Sequence, residues 1–348
     1  MSLVRVLALK AVTLILVLFG VLMLVVLVLG ATGVSDRILT AYVGEQLRAV
    51  RQELSQRIRD PVELERALET YRSELITAYG LDRPWYTRLP QMILRVLILD
   101  LGSSRTVTSF SGSSKVSDII LERLPNTVAL VTTAVAISSA VGIALGARAA
   151  LKAGSRYDRA VSLFSSVSFA LPSWWMGLIY ILAFSFYLGI FPFGGLYSTP
   201  PPTTPLERAA DILWHATLPV LTLVTVILGG WAYISRTIVL NVTREDFVAV
   251  ARAKGLKENL LMRRYIIRPA APPIVTNIVF AISGSIGGAI LTETVFNFPG
   301  MGRLYYEAIT SFDENLVIAL TYLYTLIYIA SRFILEILYV VLDPRVRI

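Results

Sequence analysis

Apolar residues run along this chain in blocks of a length that soluble folds rarely use. The first, Ala11 to Gly30, holds no charge and matches the roughly 20 residues an α-helix needs to cross a bilayer. Five more follow, at roughly 126–147, 161–190, 213–235, 271–293 and 315–342, each long enough to cross. Between the first two blocks the pattern changes. Positions 36–79 are rich in Arg, Glu, Gln and Leu, and Leu64, Leu68, Tyr71 and Leu75 recur at helical spacing. Pro61 marks a break between two helices there. The Ser, Thr and Gly of Gly102–Ser117 predict a loop, and Pro200, Pro201 and Pro202 predict an extended connection within Pro192–Pro205.

The pattern predicts an all-α integral membrane protein with six transmembrane helices. Residues 1–30 hold the first, 31–125 form an external helical and loop segment, and 126–348 form a five-helix core that includes the connection 236–270. A signal peptide has an apolar core of about 7–15 residues; Ala11–Gly30 exceeds that, so a retained span is expected.

Composition agrees, with 55% hydrophobic and only 16% charged residues in 348, too little charge for a soluble surface of this size. The net charge of +8 could indicate a nucleic-acid partner, but its placement indicates a membrane. Arg5 and Lys10 precede the first block. Arg148, Lys152, Arg156 and Arg159 crowd one connection, and Arg244, Arg252, Lys254, Lys257, Arg263, Arg264 and Arg268 another. Arg345 and Arg347 lie at the C-terminal end, whereas the connections 191–212 and 294–314 hold only Arg208 and Arg303. The positive-inside rule then puts both termini and the basic connections in the cytoplasm.

Little in the chain can carry covalent chemistry. There is no cysteine, which excludes disulfides, thiolate metal sites and cysteine nucleophiles. No G-x-x-x-x-G-K-[ST] occurs, so no nucleotide is expected on a P-loop of this chain. The single histidine, His215, cannot build a metal site and reads as a hydrogen-bonded interfacial residue. The pairs Gly142/Gly146 and Gly284/Gly288 read as close helix contacts. Pro172 and Pro219 should kink or break their spans. Glu293 and the Arg332/Glu336 pair lie near span ends, where snorkelling or structural pairing is expected. So few charges argue against an ion-coupled carrier.

One polar island stands apart, Thr243–Gly255, reading TREDFVAVARAKG. Thr243 can cap a helix with Asp246 as its capping-box partner. Glu245 and Asp246 suit the positive end of the helix dipole, and Arg252 and Lys254 the negative end. Gly255 falls where a left-handed residue stops a helix. Phe247, Val250, Ala251 and Lys254 share one face. A helix of about three turns cannot bury such a face against itself, so the island predicts a knob offered to a soluble partner.

These residues resemble a known family, the permease subunits of dipeptide/oligopeptide ABC importers. The resemblance runs from about Tyr79 to Ile348. Gly80-Leu81-Asp82-Arg83-Pro84 and Asp100-Leu101-Gly102-Ser103-Ser104 are similar to the family's external segments, with Leu99 in place of a usual glycine. Leu124-Pro125-Asn126-Thr127 resembles the start of the second span. Pro172-Ser173-Trp174-Trp175-Met176-Gly177 resembles the third-span motif, and His215 with Leu218-Pro219 the fourth. Glu293-Thr294-Val295-Phe296 with Pro299-Gly300-Met301-Gly302-Arg303-Leu304, and Leu342-Asp343-Pro344-Arg345-Val346-Arg347, are the most specific matches. Glu245-Asp246-Phe247 and Ala251-Arg252-Ala253-Lys254-Gly255-Leu256 are similar to the loop by which such permeases dock onto ATPase subunits. Ala249 stands where the general importer motif has glutamate, and Pro269 where the peptide branch usually has asparagine.

The resemblance implies an ATP-driven importer in which this chain forms part of the pathway and binds no cofactor itself. ATP and Mg belong to two ATP-binding subunits at the cytoplasmic face. A second homologous permease would complete the pathway, and an external solute-binding protein would deliver di- or oligopeptides, with membrane lipid around the spans and no nucleic acid. The coupling loop would comprise Arg244, Glu245, Asp246, Phe247, Val250, Ala251, Arg252, Lys254 and Gly255. Candidate pathway and outer-gate positions are Pro172, Trp174, Trp175, Pro219, Glu293, Phe296, Pro299, Gly300, Gly302 and Arg303; no metal ligands are expected. Similar permeases serve oligosaccharides or nickel, and those cargoes stay open. A stand-alone channel or secondary carrier would need mid-membrane charges or half-helix pairs, and a sensor would need a cytoplasmic output domain. On the importer reading, Gly255→Asp should abolish association with the ATPases, because a side chain there strains the turn or blocks close approach. Co-purification from membranes measures it, and an intact complex would refute it.

Overall fold

The computed structural model describes residues 3–31, 33–87, 94 and 100–342. The Leu99 position and the Asp343–Arg347 motif lie outside the described residues, as does the Arg5 side chain. Among the described residues the regular structure is helical, with one isolated bridge, Ser103 to Lys115. Four helical stretches are long and apolar enough to cross a membrane, or five if one bent pair counts as a single span. The chain separates into two compact units.

The smaller unit, Val12–Ile119 with Glu307–Thr325, takes in most of helix α1 (Leu3–Ala31) and a helical hairpin, α2 (Val34–Arg57) and α3 (Pro61–Ala78). The break between α2 and α3 follows from chemistry. Pro61 opens α3 where a missing N–H costs nothing, and the Asp60 carboxylate accepts from Val62 N–H at 3.0 Å. Leu68 is the buried residue of the α3 stripe. Tyr42 and Tyr79 meet edge to face, and the Arg105 guanidinium lies over both rings, 5.5 and 5.9 Å from their centroids. The loop carrying Arg105 is held by Asp313, which has no exposed surface. Its Oδ2 accepts from the Ser104 hydroxyl and the N–H groups of Arg105 and Thr106, at 2.7, 2.6 and 3.0 Å. Its Oδ1 accepts from Leu316 N–H at 3.2 Å, capping α12 (Glu314–Leu342).

The larger unit, chiefly Ile120–Tyr306 with Leu326–Ile348, is built on one long helix, α7 (Pro205–Thr243, 39 residues). At 1.5 Å per residue it is about 58 Å long, well beyond the apolar thickness of a bilayer, ~30 Å. Thr204 caps it, accepting from Glu207 N–H at 3.3 Å. The helix continues through Pro219, so of the kink or break expected there the break does not occur. Buried neighbours Ala216, Leu218 and Leu223 pack the proline turn, a setting in which membrane helices tolerate proline. His215 lies one turn before Pro219. It is buried, with Nδ1 2.9 Å from the Asp211 carbonyl oxygen.

Helix α4 (Val116–Leu151) lies along α7 because its glycines leave no barrier between backbones. A Cβ on Gly142 would fall 2.5 Å from the Trp231 Cβ, and one on Gly146 would overlap the Ala232 carbonyl oxygen. Pro125 sits inside α4, which widens into a π-helical stretch at Val128–Thr132. Helices α5 (Arg156–Ala170) and α6 (Ser173–Tyr187) meet at 93°, with Pro172 at the break as its missing N–H dictates. After α8 (Asp246–Ala253), a π-helical stretch Leu261–Ile267 runs into α9 (Arg268–Ser285), which tolerates Pro269 in its first turn. The chain breaks at Gly288 (φ 83°), then forms α10 (Ile290–Val295) and α11 (Met301–Thr310). In α12, Glu336 pairs with Lys10 and stands 4.0 Å from Arg332.

Of the second glycine pair, only one member makes a close contact. Gly284 has nothing within 4 Å of a Cβ, whereas Gly288, left-handed in the break, would place a Cβ 2.3 Å from Gly302 N of α11. The two glycine sites therefore predict opposite outcomes. Gly146→Val, which forces a branched side chain between α4 and α7, should cost at least the ~1–3 kcal/mol typical of overpacking. Gly284→Ala should be neutral or stabilising by up to about 1 kcal/mol. Thermal unfolding of the detergent-purified protein, followed by tryptophan fluorescence, measures both.

Candidate functional site

The polar island forms a helix shorter than its sequence signals. Thr243 ends α7, and its hydroxyl donates back to the Leu240 carbonyl at 2.7 Å, so it does not cap the island. Arg244 turns the chain, its N–H donating to Asn241 O at 3.1 Å. Glu245 is the N-cap of α8 without a side-chain capping bond, which leaves Asp246 to meet the helix dipole alone. The other end closes as a Schellman turn. Gly255 takes φ 72°, its N–H donates to Arg252 O at 3.0 Å, and Leu256 N–H reaches Ala251 O at 3.5 Å. A Cβ on Gly255 meets nothing of this chain. Substitution there therefore strains the left-handed backbone by about 1–2 kcal/mol, and any clash involves another molecule.

α8 uses both of its apolar sides. Val248 and Ala251 face inward, packing with Ala150, Val239, Leu261, Ile266 and Ala270. This corrects the assignment of Ala251 to the exposed face: the Leu256 turn draws it into that cluster. Phe247 and Val250 point the other way, 44% and 53% exposed, with Arg252 and Lys254 also exposed. Phe247, Val250 and Lys254 follow one another at helical spacing, so an apolar pair flanked by positive charge is presented on a helix whose back is fixed.

The second cluster centres on Glu293. Its side chain has no exposed surface, so the snorkelling expected from its place near a span end does not happen. Oε1 accepts from Ala289 N–H at 3.1 Å and from the Thr127 hydroxyl at 3.2 Å, and Oε2 accepts from Arg303 N–H at 2.8 Å. Thr127 Oγ1 in turn accepts from Met301 N–H at 2.6 Å, and Asn126 Nδ2 donates to the Pro299 carbonyl at 2.8 Å. Gly300 and Gly302 supply the room. A Cβ on Gly300 would lie 2.5 Å from Thr127 Oγ1, and one on Gly302 would lie 2.7 Å from Ile290 N. Asn297 holds a left-handed φ of 49°, and its side-chain oxygen accepts from the Arg303 guanidinium.

Phe296 joins this cluster to its surroundings. Its buried ring would be 3.0 Å from a Cβ on Gly177 of α6, and its carbonyl accepts from Gly195 N–H at 2.8 Å. Glu293, Phe296, Pro299, Gly300, Gly302 and Arg303 thus come together. Pro219 lies elsewhere, inside α7. Pro172 marks the α5–α6 bend, and Trp174 and Trp175 just beyond it are 42% and 43% exposed. Among the described residues no group of three acidic or histidine side chains could hold a metal ion. Thr127 and Asn126, which complete the Glu293 cluster, have no role in the sequence reading beyond lying in the Leu124–Thr127 motif. The only signal available was that two separate motifs contain residues able to donate to one carboxylate.

The fold and these clusters define a multi-pass helical membrane protein with an exposed polar helix between two spans. The chain belongs to the family of binding-protein-dependent transport system inner membrane components, which residues 142–348 match. It is similar to the oligopeptide transport system permease protein AppB of Bacillus subtilis (strain 168), 30% identical across 79% of this chain and 84% of that protein. It is also similar to the di/tripeptide transport system permease protein DppB of Pseudomonas aeruginosa (strain UCBPP-PA14), 32% identical across 83% of this chain and 90% of that protein. The oligopeptide transport system permease protein OppB of Haemophilus influenzae is 30% identical across 77% of this chain.

The Glu293 cluster generates a graded prediction. Glu293→Ala leaves the Ala289 and Arg303 N–H groups and the Thr127 hydroxyl buried without their acceptor, at about 1–3 kcal/mol each. Glu293→Gln keeps one acceptor oxygen and should lose less. Melting temperature and yield of folded protein in detergent should rank wild type above Gln above Ala; equal stability of Ala and wild type would refute the cluster's structural role.

Proposed function

We propose that this chain is a transmembrane subunit of an ATP-driven importer of short peptides, with α8 as the helix through which ATPase subunits act on it. The observation that carries this reading is the two-sided packing of α8. Val248 and Ala251 fix the helix to its own chain, while Phe247 and Val250 stay exposed. A greasy pair on a short helix between spans needs a soluble partner to cover it, and the chain has no P-loop of its own. The names of the three relatives given above, each a peptide transport permease, support di- or oligopeptide cargo.

In this reading α1 joins the other apolar stretches as a first span, giving six crossings with both termini and α8 in the cytoplasm, as the arginine and lysine distribution requires. ATP and Mg are held by two partner ATP-binding subunits. A second homologous permease completes the pathway, and an external solute-binding protein supplies cargo. ATP-driven closure of the ATPases draws the α8 helices of the two permeases together, and the spans change from inward- to outward-facing. The work is done by differential contacts with two states, as any such switch demands.

Replacing Phe247 and Val250 together by Asp should abolish co-purification of the ATP-binding subunits while membrane insertion of the chain stays normal, because both side chains lie outside the cluster that fixes α8. An intact complex carrying both changes would overturn the assignment of α8 as the docking element.

A further inference from the structure

A partly buried ion pair away from both clusters joins the helix that leads to α8 with the bent third span. Asp158 lies in the first turn of α5 and is 4% exposed. Ser155 caps that helix by accepting from Asp158 N–H at 3.1 Å. The Asp158 carboxylate accepts from Gly154 N–H at 2.9 Å, and its two oxygens accept from Arg236 Nε and Nη2 of α7 at 2.5 and 2.9 Å. The contact is a two-pronged fork, which fixes orientation as well as distance. Arg236 stands about two turns before the end of α7, after which the chain turns into α8.

A second fastening lies roughly 15 Å further along α5. The Ser168 hydroxyl donates to the carbonyls of Thr225 and Val226, at 2.5 and 3.1 Å, and accepts from Gly229 N–H at 3.2 Å. Gly229 has no space for a side chain, since its Cβ would fall 2.5 Å from the Ser168 Cβ. Helix α5 is therefore pinned to α7 at both ends, and only past Ala170 does the chain swing through 93° into α6. Ionisable groups among apolar spans are costly and are kept where they act.

We propose that Asp158 and Arg236 are positioning residues of the transport cycle. Through their ion pair, a displacement delivered at α8 is carried by α7 to α5 and changes the angle at the Pro172 bend. The Ser168 contacts and the ion pair fasten both ends of α5 to α7, so α5 follows α7 as one body and the change of angle falls at the bend. This rests on α8 being the docking helix, so the test separates the two ideas.

The chain lacks cysteine, so spin labels attached to the purified chain at Phe169→Cys and Tyr187→Cys, both largely exposed positions either side of the bend, sit at those two positions alone and report its angle after assembly. In the complex with its ATPase subunits, trapping with ATP and vanadate should shift the label-to-label distance measured by pulsed electron resonance. With Asp158→Asn, or with Arg236→Lys, which keeps the charge but not the fork, the subunits should still co-purify and hydrolyse ATP while the shift is lost. The exchange Asp158→Arg with Arg236→Asp should restore part of it. An unchanged shift in the single variants would overturn the proposal. So would disassembly of the complex, or unfolding of the single variants at the temperature of the distance measurement, since the pair would then serve only the fold. Failure of the unsubstituted labelled chain to bind ATPases would instead refute the docking assignment.

Discussion

A carboxylate with no exposed surface must find donors within the protein, and Glu293 organises one end of the larger unit by that requirement. Its acceptor oxygens draw the start of α10, the first turn of α11 and Thr127 of α4 to one point. Everything crowded against them must then be small or strained. Gly300 and Gly302 leave space for the carboxylate and the neighbouring backbone, and Asn297 adopts a left-handed conformation that few side chains accept. The ring of Phe296 is carried into place by the same turn. Desolvation makes such a group expensive alone and orienting when satisfied, so the cluster specifies one arrangement of these segments.

The long helix α7 meets a different demand. Packing between apolar helices in lipid has little hydrophobic drive, so it depends on close backbone approach and on hydrogen bonds between helices. Gly142 and Gly146 of α4 and Gly229 of α7 supply the approach, and Ser168 and the Asp158–Arg236 fork supply the bonds. The same logic appears in the smaller unit, where Asp313 serves a helix cap and a loop with one side chain. Three aspartate or glutamate side chains thus do organising work that a soluble protein would leave to its apolar core.

What could be read from the sequence was whatever depends on neighbours in the chain. The apolar blocks, the break at Asp60–Pro61, the bend at Pro172 and the left-handed turn at Gly255 all follow from local chemistry. The helix ends were less legible: α7 and the stretch from Glu258 extend well past their apolar blocks, because polar residues continue a helix once tertiary packing supports it. The burial of Glu293 was not legible, since its donors at Thr127 and Arg303 belong to other motifs. Nor was the Asp158–Arg236 pair, in which Arg236 reads as the end of an apolar block and Asp158 is lost among the basic residues around it. Pro219 fails as a breaker for a related reason: packing around the turn outweighs the lost bond.

The closure of α8 by Leu256 and Ala251 has a consequence for how such a chain can change over time. One side of the helix answers to the fold, and the other answers to whatever covers Phe247 and Val250. Substitutions on the outward side can accumulate without endangering insertion or assembly of the spans, while substitutions at Val248 or Ala251 are filtered at once by folding. If α8 is the docking helix proposed above, a pairing between subunits can drift, diverge after duplication, or be transplanted between lineages, one exposed residue at a time.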